Sequence, residues 1–174
     1  MPRSRFKPEP PVHTFRVRIL GGYYAPPDAR EVWREIEVAA NQTLADLGEA
    51  IPLAFDFDDP HLWAFFLSGK AWDKKTEYGL VSDDAGPFAA PNGKATRTLI
   101  SDVLYPGKQR DKEFLFLFDF GDEWHFGVTL AGTNPVVQPG VEYPRVAATH
   151  GDAPPQYPDL DEDEEWDEEE DDDA

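Results

Sequence analysis

Cysteine is absent from the 174-residue chain, which excludes disulfide bonds, thiolate metal sites and cysteine nucleophiles. The sequence also lacks an apolar run of about 18 residues and a charged leader followed by an apolar stretch. We therefore expect neither a membrane span nor a secretory signal, and we predict a soluble cytoplasmic protein without a membrane partner. Basic residues are few, since 16 Lys and Arg stand against 35 Asp and Glu and give a net charge of -19.

The negative charge is concentrated at the C-terminus. Thirteen acidic residues lie between Asp159 and Asp173 with no base among them, whereas residues 1–158 carry 22 acids against 16 bases. The sequence therefore predicts a flexible, basic and proline-rich arm over residues 1–12, one folded domain over residues 13–158, and a disordered acidic tail over residues 159–174. Two roles of the tail stay open, binding of a basic partner and maintenance of solubility.

Two alternating segments predict a first hairpin. Phe15, Val17 and Ile19 alternate with arginines, which is typical of a strand with one wet face. Residues 32–38 alternate in the same way after a turn rich in glycine and proline.

A helix is predicted next. Four apolar residues recur at the spacing of one helix face: Leu44, Leu47, Ile51 and Phe55. Thr43 or Asn41 is the expected N-cap, and Asp46 falls in the first turn, where the helix dipole favours an anion. Pro52 lacks a backbone donor, so we expect a kink or an early stop near Ala50.

The remaining elements are shorter. An aromatic strand is predicted over residues 61–67, and the segment 68–97 has the composition of a long loop with a short strand near residues 72–78. Residues 98–104 predict a short helix with Leu99, Val103 and Leu104 directed inward. The proline-rich segment after Leu130 should hold few regular elements, with residues 141–146 extended along the domain and Tyr143 packed.

The segment 113–130 is the most informative. Alternate residues from Phe114 to Phe120 are phenylalanine, and Trp124 begins a second row of apolar residues at the same spacing. A three-residue loop over residues 121–123 aligns both rows by pairing Phe120 with Trp124. The same register places Asp119 opposite His125. Burial of these side chains should make this hairpin the centre of the core.

Together these elements predict an α+β fold. We expect a mixed or antiparallel sheet built from two hairpins and a central strand, one main helix packed on the sheet, and a proline-rich C-terminal wrap.

Five separated motifs carry a family resemblance. The central motif is Asp119-Phe120-Gly121-Asp122-x-Trp124. The others, in chain order, are Pro26-Pro27 with Trp33-Arg34, Thr43-Leu44-Ala45-Asp46-Leu47, His61-Leu62-x-x-Phe65, and Tyr143-Pro144-Arg145 followed by Gly151-Asp152-Ala153-Pro154-Pro155. In these motifs residues 13–158 resemble the Ri-plasmid ORF-three-like family, whose members are also called TnpR-like passenger proteins of insertion elements.

The resemblance implies an α+β domain from a largely uncharacterised family associated with mobile elements. Members of that family usually carry a histidine two residues after His61 and another two residues after Trp124. This chain has Trp63 and Phe126 there, so a histidine site is not carried over. No nucleophilic serine motif or basic recognition helix of a resolvase is present.

Candidate chemistry centres on two aspartates and up to two histidines. Asp119, Asp122 and His125, with His61 or His150, offer oxygen and imidazole ligands for a divalent metal, and Asp119 with His125 forms a candidate acid–base pair. The plainer interpretation is a turn and an ordinary cross-strand pair. We favour it, and expect neither a bound metal nor a cofactor. The candidate binding residues are Asp122, Trp124, His61, Tyr143 and Arg145.

Nucleic-acid binding is the weaker partner hypothesis. Residues 1–34 hold seven bases against three acids and could neutralise phosphates, but the whole chain is strongly anionic. We therefore predict a non-catalytic interaction or accessory protein that binds other proteins, including a basic partner of the tail. The alternatives are a metal-assisted or acid–base hydrolase and an accessory factor in DNA transactions.

Overall fold

The computed structural model describes residues 9–80, 93–104 and 112–158. Its strands are β1 (Val12–Gly21), β2 (Trp33–Ala39), β3 (Trp63–Phe66), β4 (Glu77–Gly79), β5 (Phe114–Phe118), β6 (Trp124–Asn134) and β7 (Arg145–His150). They form one antiparallel sheet in the order β4-β3-β5-β6-β1-β2-β7. The acidic tail, residues 1–8 of the predicted arm, and residues 81–92 of the predicted loop lie outside the described residues.

The predicted α+β class is confirmed. The main helix is α1 (Leu44–Ala54), followed by the short helices α2 (Lys94–Arg97) and α3 (Ile100–Leu104). A 3-10 turn at Pro27–Glu31 separates β1 from β2, and another at Lys74–Thr76 precedes β4. None of the helices in the described ranges is long and apolar enough to cross a membrane.

The predicted first hairpin is also confirmed. β1 and β2 pair antiparallel, with Phe15 opposite Ile36 and Val17 opposite Arg34. The apolar residues of both alternating rows are buried against α1, because a strand directs every second side chain to the same face.

Helix α1 begins where the sequence predicts and ends later. Thr43 is the N-cap, and a capping box with Asp46 satisfies backbone donors of both residues. The expectation of an early stop near Ala50 is wrong, because the helix continues through Pro52 to Ala54. Pro52 is buried, and its carbonyl accepts from the backbone N–H groups of Phe55 and Phe57, so packing and this last turn offset the missing donor.

The predicted register of the aromatic hairpin is wrong by two residues. Phe118, not Phe120, lies opposite Trp124, and Leu117 lies opposite His125. The loop therefore contains five residues, 119–123. An even shift keeps the residues of both strands on the predicted faces, so Phe114, Phe116 and Phe118 still face the core with Trp124, although their partners differ. The predicted face of Phe120 is wrong.

The cause of the shift is the conformation of Asp119. Its φ of 60° ends the strand, its Oδ1 accepts from the backbone N–H groups of Gly121 and Asp122, and its carbonyl accepts from Glu123. Aspartate tolerates this left-handed conformation and favours such turns. Phe120 consequently joins the smaller apolar cluster on the opposite face of the sheet, where its ring lies 5.0 Å from that of Trp72.

Two further expectations need correction. Leu99 lies at the surface, and Ile100 takes the inward position in α3. The C-terminal segment is more regular than predicted, because Arg145–His150 pairs with β2 as the seventh strand. The strand contains no proline, and the next proline is residue 154, so no missing backbone N–H interrupts its hydrogen bonding to β2.

Candidate functional site

A hydrogen-bonded group joins the start of β3 to the C-terminal segment. The hydroxyl of Tyr157 donates to Oδ2 of Asp59 at 2.8 Å and lies 2.6 Å from Nε2 of His61. A phenol has a single proton, so the oxygen accepts from His61, and Nε2 is the protonated nitrogen of this imidazole. Gln156 reinforces the junction through two bonds to the backbone of Asp59.

The β5–β6 loop adds two carboxylates to this group. Oδ2 of Asp119 lies 3.4 Å from Nε2 of His61, which in turn lies 3.5 Å from Oδ2 of Asp59. Burial, and then the negative charge of Asp119, raise the pKa of Asp122. Three aspartates, one histidine and one tyrosine thus converge at one end of the sheet. The sequence placed His61 and Asp119 among the candidates but missed Asp59 and Tyr157.

The hydrogen bonds of this group hold the C-terminal segment against the start of β3. Desolvation, the hydrogen bond to Asp59 and the surrounding negative charge raise the pKa of Tyr157 to about 12, so the phenol stays protonated at neutral pH and is a poor base. Among the described residues, no three His, Asp or Glu side chains are arranged to hold a metal ion. His61, Asp59 and Asp119 come nearest to such a set, but Nε2 of His61 is engaged with Tyr157.

His125 lies apart from this group. The corrected register places it opposite Leu117 and beside Gly21 of β1, on the outer face of the sheet. Its Nε2 is 3.9 Å from a carboxylate oxygen of Glu123. The predicted pairing of Asp119 with His125 is therefore wrong, because Asp119 has left the strand.

An apolar groove opens beside His61, under the C-terminal half of α1. Its volume is about 180 Å³. Its apolar walls are formed by Pro52, Leu53, Phe57, Pro60, Trp63 and Phe118. Glu49, Asp58 and Asp59 supply the charges, and no Lys or Arg lines it among the described residues. The groove is therefore apolar inside and acidic at its rim.

Leu53 forms the outer lip of this groove. Its side chain is 68% exposed and also borders a second depression of about 200 Å³ between α1 and β7. Arg145 lines that second depression and donates to Oε2 of Glu37 at 2.6 Å. Tyr143 lies next to it, half-buried, with its carbonyl accepting from Nε2 of Gln42 at 2.6 Å. The candidates Tyr143 and Arg145 thus lie on the far side of α1 from His61.

Trp124 is part of the core. Its side chain is fully buried, with its ring 4.8 Å from that of Phe57, and its Nε1 has no hydrogen-bond partner among the described residues. A direct contact between this side chain and a ligand would require the core to open.

Comparison with known proteins identifies the family of this chain. The family model of the plasmid pRiA4b ORF-3-like proteins matches residues 27–160, more than half of the chain. The chain belongs to the plasmid pRiA4b ORF-3-like family.

Two relatives of this pRiA4b ORF-3-like protein carry the descriptions uncharacterized and of unknown function. The uncharacterized protein y4hQ of Sinorhizobium fredii is 28% identical over 125 residues, which cover 72% of this chain and 58% of y4hQ. The crystal structure of MM3350, a protein of unknown function from Methanosarcina mazei, is 29% identical with a TM-score of 0.63, covering 85% of this chain and 74% of MM3350. The predicted family is confirmed, and the relatives assign no activity.

The Trp33-Arg34 motif of this pRiA4b ORF-3-like protein has a structural role that the sequence analysis missed. Arg34 is buried, and its guanidinium donates to the carbonyls of Ala54, Trp33, His150 and Gly151. One side chain therefore joins the ends of α1 and β7 to β2. The sequence could have indicated that Arg34 is buried, because Arg34 alternates in phase with Val32 and Ile36, which face the core.

Of the four basic residues that the structure describes among residues 1–34, three are engaged. Arg16 pairs with Glu35, Arg18 pairs with Glu113, and Arg34 is buried. Arg3, Arg5 and Lys7 lie outside the described residues. The described part of the N-terminal region therefore offers few free cations to a polyanion.

Proposed function

We propose that this pRiA4b ORF-3-like protein is a non-catalytic protein-interaction module that binds a basic segment of a partner protein. The observation that carries the proposal is the groove under α1, which is apolar inside and acidic at its rim. A buried apolar anchor within a polar rim is the arrangement that most protein interfaces use.

The size of the groove favours a side chain over a free substrate. Sites for whole small molecules usually measure about 300–1,000 Å³, whereas this groove measures about 180 Å³. That volume suits one large apolar side chain of a partner. The exposed Leu53 extends the apolar surface outward, as expected for a contact with a larger molecule.

Charge specifies the partner. Glu49, Asp58 and Asp59 surround the opening without a lining Lys or Arg among the described residues, so an acidic partner would be repelled. The described chain ends at Pro158, directly after Tyr157, which is bonded to Asp59 at the same groove. The thirteen acids of residues 159–173 therefore follow the groove in the chain and extend its attraction for Lys and Arg.

A peptide library displayed on phage and selected against the full chain tests the proposal. We expect the selected sequences to share an apolar residue flanked by Lys or Arg. Leu53→Ser should weaken binding of a synthetic consensus peptide by roughly tenfold, since it removes an apolar contact worth about 1.5 kcal/mol. Fluorescence polarisation measures this affinity.

Val136→Ser is the matched control, because Val136 is 54% exposed and lies outside the groove. It should leave the affinity unchanged. Replacing the acids of residues 159–173 by their amides should weaken binding mainly at low salt. A consensus without basic residues, or equal binding by Leu53→Ser and the unaltered chain, would contradict the proposal.

A further inference from the structure

A second cleft lies on the other side of the β5–β6 loop, independent of the groove. Its walls are this loop and the turn that follows β1, and its volume is about 400 Å³. A neighbouring depression of about 360 Å³ shares Gly21, Gly22 and Arg30 with it. Unlike the groove, this cleft is within the usual size range of small-molecule sites, about 300–1,000 Å³.

Groups of opposite charge line the cleft. Arg30 donates through Nε to the carbonyl of Leu20 at 3.0 Å, which fixes the guanidinium, and it forms no ion pair with any described residue. The loop supplies the carboxyl group of Glu123, whose Oε1 accepts from Nε1 of Trp72 at 3.0 Å, and Asp122 also lines the cleft. His125 completes the polar lining.

The charge pattern restricts the ligand. A simple anion attracted by Arg30 would be repelled by Asp122 and Glu123, and a simple cation would be repelled by Arg30. A small molecule that carries both a carboxylate and an ammonium group can satisfy both walls.

The floor of the cleft is bare backbone. A Cβ added at Gly21 would meet no atom within 4 Å, so the space above this residue is open to a ligand. The backbone N–H of Tyr23 donates to the carbonyl of Asp122 at 2.8 Å and holds the two walls together. The cleft is thus formed before any ligand arrives, which lowers the entropic cost of binding.

We propose that this cleft binds a free α-amino acid, with the carboxylate of the ligand on Arg30 and its ammonium group on Glu123. The side chain of the amino acid would extend along the shared space toward Pro26 and Pro27, which line the neighbouring depression. Tyr23, 79% exposed, forms the rim of the opening.

Titration of the full chain with each standard amino acid, followed by backbone amide NMR shifts of Gly21, Gly22 and Asp122, tests this proposal. At least one amino acid at about 10 mM should shift these amides, since a small polar ligand of this kind binds with millimolar affinity or better. The N-acetyl and carboxamide derivatives of that amino acid should each bind roughly tenfold more weakly, because each lacks one charged contact.

Two variants distinguish the cleft from the rest of the surface. Arg30→Gln removes an exposed charge and should weaken binding roughly tenfold. Gly21→Leu should abolish binding by filling the cleft, while Gly132→Leu, on the same sheet and also with open space around its added Cβ, should leave binding unchanged.

Four outcomes would overturn the assignment. They are the absence of amide shifts with every amino acid, binding of either derivative as tight as that of its parent, unchanged binding by Arg30→Gln, and unchanged binding by a folded Gly21→Leu chain. The groove and its peptide ligand do not enter these measurements, so the two proposals succeed or fail separately.

Discussion

The hydroxyl of Tyr157 lies 2.6 Å from Nε2 of His61, across 96 residues of chain. This contact fixes the end of the described chain beside β3 and beside the groove under α1. A single pair of polar side chains therefore joins two parts of the described chain that lie far apart in the sequence.

Tyr157→Phe should lower the free energy of unfolding by about 1 kcal/mol at pH 7, because it removes the hydroxyl that bonds both Asp59 and His61. Water can replace part of this hydrogen bonding, which limits the loss. The pKa of Tyr157 is about 12 in the folded chain and about 10 when unfolded, so its contribution is complete below pH 10 and is lost as the pH rises toward 12. Urea unfolding between pH 8 and pH 12 should show a shallower alkaline decline in the variant. An identical decline in both chains would contradict this role.

Asp122→Asn should stabilise the chain at pH 7 by about 0.5 kcal/mol, since it removes a carboxylate that burial and Asp119 disfavour. A raised pKa means that the folded chain binds the proton more tightly, so this penalty grows as the pH rises and vanishes below about pH 4. Urea unfolding at pH 3.5 and pH 7 measures the difference. Asp28→Asn, at an exposed position, controls for the change in net charge. An equal change in stability for both variants would contradict the explanation by burial and by the charge of Asp119.

Arg34→Met should lower the free energy of unfolding by about 3 kcal/mol, because four carbonyl groups lose their buried donor. Arg34→Lys should recover only part of this, since a single ammonium group cannot reach all of the carbonyls that the planar guanidinium joins. In Arg34→Met, amide hydrogen exchange should increase most, relative to the unaltered chain, in β7 and at the end of α1. Arg16→Gln, which breaks a surface ion pair, should lower the free energy of unfolding by less than about 1 kcal/mol. Equal losses of stability in Arg16→Gln and Arg34→Met would contradict the role of Arg34 in joining α1 and β7 to β2.

Gly48→Ala should destabilise the chain by about 1–3 kcal/mol, although alanine favours helices by about 1 kcal/mol over glycine. The added Cβ would overlap the indole of Trp63, which is itself packed in the core. Thermal unfolding measures the change. The matched substitution Gly132→Ala, where the added Cβ meets no atom within 4 Å, should change stability by less than about 0.5 kcal/mol.

The sequence was most informative where local chemistry decides the structure. Alternation predicted the β1–β2 hairpin, and the Thr43–Asp46 spacing predicted the start of α1, because a strand and a capping box depend on neighbours a few residues away. The end of α1 was mispredicted at Pro52, since burial of that ring is a tertiary property. Arg34 was missed although it lies in phase with the buried residues of β2.

The candidate site followed the same division. His61, Asp119 and Asp122 were identified from the sequence, and the structure brings them together. Asp59 lies two residues from His61 and was overlooked, whereas Tyr157 joins the group only through contacts that span the chain. The pairing of Asp119 with His125 failed because hydrogen bonds within the loop set the register. The sequence by itself determined the fold class, the faces of the strands and the family. The structure also showed the register, which the local turn at Asp119 sets and which alternation alone does not specify. Only the tertiary structure decided the groove and the cleft, because these depend on packing and hydrogen bonds between residues distant in sequence.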